Sequence, residues 1–216
     1  MKTLIKLGIS TIILSIASYV IIQVPSVQDR IMVSVVSGMA NTFGKLTKED
    51  ALSVAVCGSR SPIPSPGRAE TCMLVQAGEE MFVVDIGDGS NANLQNWGID
   101  YNKINAVLLT HLHSDHIADL PNLHQGAWIL QSRKDKLKVY GPEGVAIVTQ
   151  GIEMAYGLDY QFRNEHHGDG IAPREYAGFD THTIDLNNPV IYDNGELKIT
   201  AFKVIHEPIE PSLGYR

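Results

Sequence analysis

One short stretch constrains this chain more than any other, and it runs Thr110-His111-Leu112-His113-Ser114-Asp115-His116. It directly follows residues 106–109, an apolar run whose shortness and lack of charge are typical of a buried strand. Alternate side chains of an extended backbone point the same way, so His111 and His113 can reach one metal ion. Asp115 and His116 come after a turn that directs them to a second position. The stretch therefore predicts a dinuclear metal site.

The ligand chemistry narrows the choice of metal. Imidazole together with carboxylate suits zinc, and manganese or iron are also possible. We therefore expect Zn²⁺ as the cofactor, with two ions in an intact site. The alternative is a histidine-rich surface turn that holds no metal.

Three further segments accompany this stretch, and they are Cys57-Gly58-Ser59-Arg60-Ser61-Pro62-Ile63-Pro64, Val83-Val84-Asp85-Ile86-Gly87 and Leu108-Leu109-Thr110. With the H-x-H-x-D-H pattern of residues 111–116, they resemble the metallo-β-lactamase-fold hydrolases, in particular the ribonuclease Z and arylsulfatase-like branch. The resemblance extends from about residue 53 to the end of the chain. It implies an α/β fold, the αββα sandwich of that superfamily, of which this sequence contains the amino-terminal part.

The resemblance also implies roles for individual residues. The expected metal ligands are His111, His113, Asp115, His116 and His206. His206 would complete the first metal position, and Asp115 is also the expected catalytic residue. Asp85 is expected to orient the ligand loop without touching a metal. The substrate-binding residues remain unknown from the sequence.

The carboxyl-terminal end departs from the family pattern. Members of this family continue beyond the third histidine with an aspartate that bridges both metals and a further histidine. Neither residue type follows His206 before Arg216. We therefore expect a truncated form of the hydrolase, in which residues 107–110 would lie uncovered on a bare sheet face.

The amino-terminal region predicts contact with a membrane. Residues 7–24 carry no charge and follow two lysines, so residues 1–24 are expected to be a signal peptide or a membrane anchor. The lysines place the following domain outside the cytoplasm, which makes the protein exported, for example periplasmic. Residues 25–50 are expected to form an amphipathic helix and a linker, and residues 51–216 the hydrolase domain.

Charge and composition bear on the partners. A net charge of -7 with 44% hydrophobic and 19% charged residues describes a globular protein without an overall basic field. Nucleic acid is therefore an unlikely partner, and a small-molecule ester and the membrane are the expected ones. The sequence thus favours a metal-dependent ester hydrolase of phosphodiesterase or arylsulfatase-like type. The alternatives are a tRNA 3′-processing endoribonuclease and a catalytically inactive fragment.

Local patterns predict alternating strands and helices with the helices outside. A helix is expected over residues 145–156, and the Asn194-Gly195 pair predicts a hairpin turn. The pair His166-His167 is expected in a glycine-rich loop, either solvated or lining the substrate mouth. His124 is more typical of a surface or core position than of a ligand. The sequence does not decide whether its two cysteines, Cys57 and Cys72, form a disulfide or remain buried thiols.

Overall fold

The computed structural model describes residues 14–16, 18–28, 30–31 and 51–216. Most of the predicted signal or anchor segment 1–24, and most of the predicted amphipathic helix and linker 25–50, lie outside the described residues. Among the helices that are described, none combines the length and the apolar character needed to cross a bilayer. The expected membrane helix therefore finds no support in the described part of the chain.

The domain is built around a six-stranded sheet whose strand order follows the sequence. Its strands are β1 (Leu52–Gly58), β2 (Cys72–Ala77), β3 (Glu80–Val84), β4 (Ile104–Leu108), β5 (Leu137–Gly141) and β6 (Phe179–Thr183). The first three form an antiparallel meander, whereas β3 to β6 pair in parallel. Parallel neighbours require crossover connections, and these supply the helices.

The helices from residue 51 onward are α1 (Ser90–Asn96), α2 (Ser114–Ile117), α3 (Leu120–Gln125) and α4 (Val145–His167), with a π-helical turn over Gly126–Leu130 and 3₁₀ turns over Tyr101–Lys103 and Arg174–Tyr176. They cover one face of the sheet. Leu94 of α1, Leu123 of α3 and Val145 of α4 join a single buried cluster with Val107 and Val139 of the sheet. Burial of these apolar side chains on the strands fixes the helices against the sheet.

Helix α4 is longer than the sequence predicts. It continues past residue 156 through Gly157 and ends at Gly168, whose φ of 73° stops a helix easily. A glycine inside a helix costs about 1 kcal/mol, and here Tyr160 packs against Trp128 on the far side of it. The expectation that His166-His167 lies in a loop was therefore wrong, because both end the helix.

A second, three-stranded antiparallel sheet packs on the other face. Its strands are β7 (Val190–Asp193), β8 (Lys198–Val204) and β9 (Ser212–Tyr215), and the turn at Asn194-Gly195 confirms the predicted hairpin. Leu108 and Phe82 of the large sheet contact Ile199 of the small one. Leu108 is only 2% exposed, so the expectation of a bare face over this strand was wrong. Large apolar side chains are exposed instead on β1, at Val54 and Val56.

The structure answers two questions that the sequence left open, one about the cysteines and one about His124. Cys57 and Cys72 form a disulfide between β1 and β2 with their Cα atoms 5.0 Å apart. His124 is 1% exposed and accepts a hydrogen bond from the Gly178 amide at Nε2, 2.8 Å away. It is a core histidine rather than a surface one.

Candidate metal centre

The candidate site begins where β4 ends, as the sequence predicts. Beyond Leu108 the chain leaves the ladder and is held from the second sheet. The Leu213 amide donates to the Thr110 carbonyl at 2.8 Å, and the Tyr215 hydroxyl donates to the Leu109 carbonyl at 2.6 Å. These bonds to β9 fix the direction in which the following histidines leave the strand.

Three histidines from two distant parts of the sequence meet at this point. Nitrogen atoms of His111, His113 and His206 all lie within 4.8 Å of one another. The loop after β8 brings in His206, whose ring centroid is 4.8 Å from that of His111. His111 is 5% exposed, whereas His113 and His206 are exposed to solvent. The three-histidine cluster is therefore fixed to the domain at His111 and open to solvent at His113 and His206.

The spacing of these nitrogens fits a metal ion. His111 Nε2 and His113 Nδ1 are 3.2 Å apart. Tetrahedral zinc with bonds of about 2.1 Å to nitrogen separates its ligands by about 3.4 Å. The donors are imidazoles, which suit zinc and other first-row divalent metals. Residues 111, 113 and 206 thus have the donor chemistry to hold a metal, and the pair 111 and 113 also has the required separation.

Asp115 and His116 lie next to these histidines. They belong to α2, the short helix that starts directly after His113, so the helical backbone reverses their direction relative to the preceding extended segment. The ring centroids of His116 and His111 are 3.9 Å apart, and His116 Nε2 is 3.7 Å from Asp115 Oδ2. The structure thus brings every sequence-predicted ligand into one continuous cluster, with an imidazole and a carboxylate available for a second ion.

Asp85 connects the two halves of the cluster. Its Oδ1 accepts from the Thr110 amide at 2.8 Å, and its Oδ2 accepts from the Thr110 hydroxyl at 2.8 Å and lies 2.7 Å from His116 Nδ1. The residue has φ 57°, a left-handed conformation that a non-glycine residue adopts only at a cost of about 1–2 kcal/mol. Since such strain persists only where the surroundings impose it, the position of this carboxylate is strongly determined.

Gly87 allows the chain to pass close behind α2. A Cβ at this position would overlap the Asp115 carbonyl oxygen and crowd the Glu70 side chain. Glu70 in turn accepts from the Asp88 amide at 3.0 Å and pairs with Arg60 at 3.3 Å. The glycine is therefore required by close packing, and its loop supports the backbone that carries Asp115.

The electrostatics of the cluster differ between His111, which is buried, and His116, which is half-buried. Burial, together with the neighbouring imidazoles, lowers the pKa of His111 to about 4, against the opposing effect of the Asp85 carboxylate. A neutral His111 can offer its Nε2 lone pair to a metal. Burial also opposes protonation of His116, but its hydrogen bond to Asp85 and the charge of that carboxylate outweigh this and raise the pKa.

Sequence inspection missed two supporting residues. The Thr110 hydroxyl contacts both Asp85 and His111 Nδ1, the latter at 3.1 Å. Its place directly before the first histidine was the available signal, since a ligand histidine usually has a hydrogen-bond partner on its other nitrogen. The role of Tyr215 carried no such signal, because its hydroxyl reaches Leu109 from a distant strand.

Comparison with known proteins identifies the family to which this chain belongs. Residues 82–216 match the family model described as a beta-lactamase superfamily domain. The chain belongs to the beta-lactamase superfamily. Its listed relatives belong to the ribonuclease Z branch of this superfamily, and its fold neighbours share the metallo-β-lactamase fold. Such folds hold divalent metals, in agreement with the histidine cluster.

Curated relatives in this superfamily include the ribonucleases Z of Mycolicibacterium gilvum and Mycobacterium marinum. Each is 34% identical over 167 residues, which cover 76% of this chain. The chain spans only 57% and 58% of the length of these two relatives.

Solved structures agree on the fold. Human tRNase Z, short form, superposes with a TM-score of 0.57 at 21% identity, covering 75% of this chain and 63% of that one. The metallo-beta-lactamase fold protein YhfI from Bacillus subtilis gives 0.53 at 24% identity, covering 78% and 58%. At these identities the likeness shows the fold alone.

The relatives correct one expectation from the sequence. Nucleic acid was predicted to be an unlikely partner because of the net charge of -7. That prediction was wrong, because the matched relatives are ribonucleases. The expected membrane partner finds no support either. Net charge failed as a guide because binding of a polyanion depends on the local field at the site rather than on the sum over the chain.

Proposed function

We propose that this domain is a metal-dependent ribonuclease of the ribonuclease Z type, which hydrolyses a phosphodiester bond in precursor tRNA. The observation that carries the proposal is the joint presence of the His111, His113 and His206 cluster and 34% identity to ribonucleases Z. Zinc is the proposed metal, because imidazole and carboxylate donors at these separations suit it. The relatives favour this activity over arylsulfatase-like ester hydrolysis, which the sequence had placed first.

Within this proposal, His111, His113 and His206 hold one ion, and Asp115 and His116 contribute to a second. A divalent metal bound there supplies Lewis acidity, lowering the pKa of a water toward about 7 and polarising the phosphoryl oxygen. The remaining steps belong to the protein. Asp115 is the proposed catalytic residue, because its carboxylate is 5% exposed and faces the same space as the His116 Nε2 atom. It can orient the attacking water and accept its proton.

The open side of the cluster suits a large substrate. His113 and His206 are both exposed, so a phosphodiester on the surface of a folded RNA can approach them without entering a deep pocket. A polyanion must nevertheless be held against a net charge of -7. The local field at the site decides this, and the salt dependence of the affinity measures how many phosphates the site contacts.

The experiment compares three substrates on the same protein loaded with zinc: a precursor tRNA, an aryl phosphodiester and an aryl sulfate. The proposal expects cleavage of precursor tRNA at the 3′ side, lost in Asp115→Asn. Asp169→Asn, on the exposed loop after α4, is the matched control and should retain activity. Turnover of the aryl sulfate or the small phosphodiester with precursor tRNA left intact would instead support the small-molecule hydrolase suggested by the acidic net charge.

A further inference from the structure

Two aromatic rings lie side by side on the large sheet, near the strand end at which the metal cluster begins. Tyr140 of β5 and His182 of β6 are register partners, and their rings stack with centroids 4.6 Å apart and planes 15° from parallel. Tyr140 is in turn the register partner of Leu108 in β4. The three side chains therefore form a row across three neighbouring strands, and His182 is the outermost member of that row.

The outer face of the His182 ring is open. Among the described residues, β6 is the last strand of its sheet and pairs on one side only, with β5. The second sheet lies over other strands, since Tyr192 of β7 contacts Phe82 of β3 and β9 is hydrogen-bonded to Leu109. The His182 side chain is therefore 41% exposed, and the ring face turned away from Tyr140 points beyond the edge of the sheet.

Asp180 holds this ring in its orientation. It lies two residues before His182 on the same face of β6, and its Oδ1 atom is 3.0 Å from the His182 Nε2 atom, which is shielded from solvent. The ring is thus held between a carboxylate and Tyr140. A flat side chain that is fixed before binding loses little conformational freedom when a ligand stacks on it.

The exposed ring lies at the same end of the sheet as the metal cluster. Strands β4, β5 and β6 run parallel, and His182 is level with Leu108, three residues before His111. The Leu109 amide donates to the Tyr140 carbonyl at 2.8 Å, which fixes β5 to the segment that carries the histidines. Neighbouring strands are about 4.8 Å apart, so about 10 Å separate the strand of His182 from the strand that leads into the metal centre.

We propose that the outer face of the His182 ring is a stacking platform for one nucleobase of the RNA, in a nucleotide close to the bond that is cleaved. The inference rests on the ribonuclease activity proposed above, and it names the part of the substrate that this surface contacts. Unpaired RNA bases are commonly held by stacking on aromatic side chains, histidine among them. An open, prefixed ring beside the metal centre provides such a contact.

The charge beside the ring favours a base over the sugar-phosphate backbone. Asp180 keeps 44% of its side chain exposed, and its ionised carboxylate repels a phosphate group. The same carboxylate can accept a hydrogen bond from the exocyclic amino group of a base. Stacking also needs no basic surface, which suits a chain with a net charge of -7.

The test measures RNA binding apart from cleavage, in the zinc-loaded full chain carrying Asp115→Asn, which leaves the substrate intact. The probe is precursor tRNA with one abasic nucleotide, placed in turn at each position around the cleavage site. Adding His182→Ala should raise the Kd for unmodified RNA at least about fivefold, because base stacking is lost. At one abasic position the Kd should rise as much, and His182→Ala should then raise it no further, because both changes remove the same contact.

Two further variants serve as controls. His182→Phe keeps a flat ring and should bind unmodified RNA like the parent chain. His166→Ala replaces an exposed histidine at the end of α4 and should leave the Kd unchanged. The zinc content of each variant checks that the metal centre is intact. A Kd that His182→Ala does not change, a His182→Phe chain that binds as weakly as His182→Ala, or losses that add at every abasic position overturns the proposal.

Failure of the platform and failure of the proposed function give different results. A chain with Asp115 that cleaves precursor tRNA, but whose binding losses add at every position, keeps the function and overturns the platform. Binding losses that do not add, in a chain that fails to cleave, support the platform and contradict the ribonuclease activity. Absence of measurable binding to precursor tRNA contradicts both.

Discussion

The Asp85 carboxylate holds His116 in place, with its Oδ2 atom 2.7 Å from the His116 Nδ1 atom. Because Nδ1 is occupied by this contact, Nε2 is the nitrogen directed at Asp115 and at the proposed second metal position. The same carboxylate binds the amide and hydroxyl of Thr110, the residue before His111. One side chain therefore sets the position of ligands on both sides of the turn.

Replacing Asp85 should weaken metal binding without unfolding the domain. Asparagine tolerates the left-handed backbone at this position, so Asp85→Asn removes the charge while keeping the conformation. We expect metal affinity to fall about 10- to 100-fold, as for other residues that orient a ligand histidine. Metal titration with a competing chelator measures the affinity, with Asp169→Asn as control. An unchanged affinity would contradict the orienting role.

The two metal positions should respond differently to loss of their ligands. His206→Ala removes one of three clustered imidazoles, and Asp115→Ala removes a carboxylate from the neighbouring pair. We expect Asp115→Ala to lower occupancy of the second position while the first is largely kept, and His206→Ala to lower occupancy of the first. Metal content per chain at several zinc concentrations measures both. Equal loss at both positions in either variant would show that the sites are not separable.

Two glycine substitutions should have opposite effects on stability. Gly87→Ala forces a methyl group into the Asp115 backbone and should cost about 1–3 kcal/mol of unfolding free energy. Gly157→Ala lies in the middle of α4 with open space around it and should stabilise by up to about 1 kcal/mol. Denaturant unfolding measures both. Loss of metal binding should accompany Gly87→Ala only, and a neutral Gly87→Ala would disprove the close packing.

His124 should make the domain sensitive to mild acid. Burial lowers its pKa from 6.5 to about 4, and its Nε2 accepts from the Gly178 amide. The unfolded chain therefore binds a proton at higher pH than the folded one. The stability due to neutral His124 is fully present above pH 6.5 and is lost as the pH falls toward 4, by on the order of 3 kcal/mol.

The variant His124→Gln isolates this contribution. Glutamine can still accept from the Gly178 amide but does not titrate. Its unfolding free energy should fall less steeply than that of the wild type between pH 6.5 and 4. His166→Gln, at the exposed end of α4, is the matched control. Parallel stability profiles of wild type and His124→Gln would rule out this histidine as the acid-sensitive group.

Export of the domain stays a prediction from residues 1–24. The disulfide between Cys57 and Cys72 is typical of proteins outside a reducing cytosol. A reporter that is active only in the periplasm, fused after residue 50, should be active in a bacterial host and inactive when residues 1–24 are deleted. An abundant fusion without reporter activity would contradict export. The two proposals exclude each other, because an exported domain would not meet precursor tRNA, so an active reporter would count against the proposed tRNA substrate.

The sequence by itself determined the chemistry of the site and much of the local structure. The spacing of His111, His113, Asp115 and His116 depends on an extended segment followed by a helical turn, and both are set by neighbouring residues. The hairpin at Asn194-Gly195 is likewise local, because the turn needs residues that accept positive φ. Such features involve short separations along the chain, so pattern and residue type suffice to predict them.

The tertiary structure alone decided which distant groups meet. His206 joins His111 only because the second sheet packs on the first, and Tyr215 reaches Leu109 through the same contact. The length of α4 was also decided by packing, since Tyr160 and Trp128 stabilise turns that Gly157 weakens locally. Long-range contacts depend on how buried apolar surfaces fit together, and no short stretch of sequence encodes that fit.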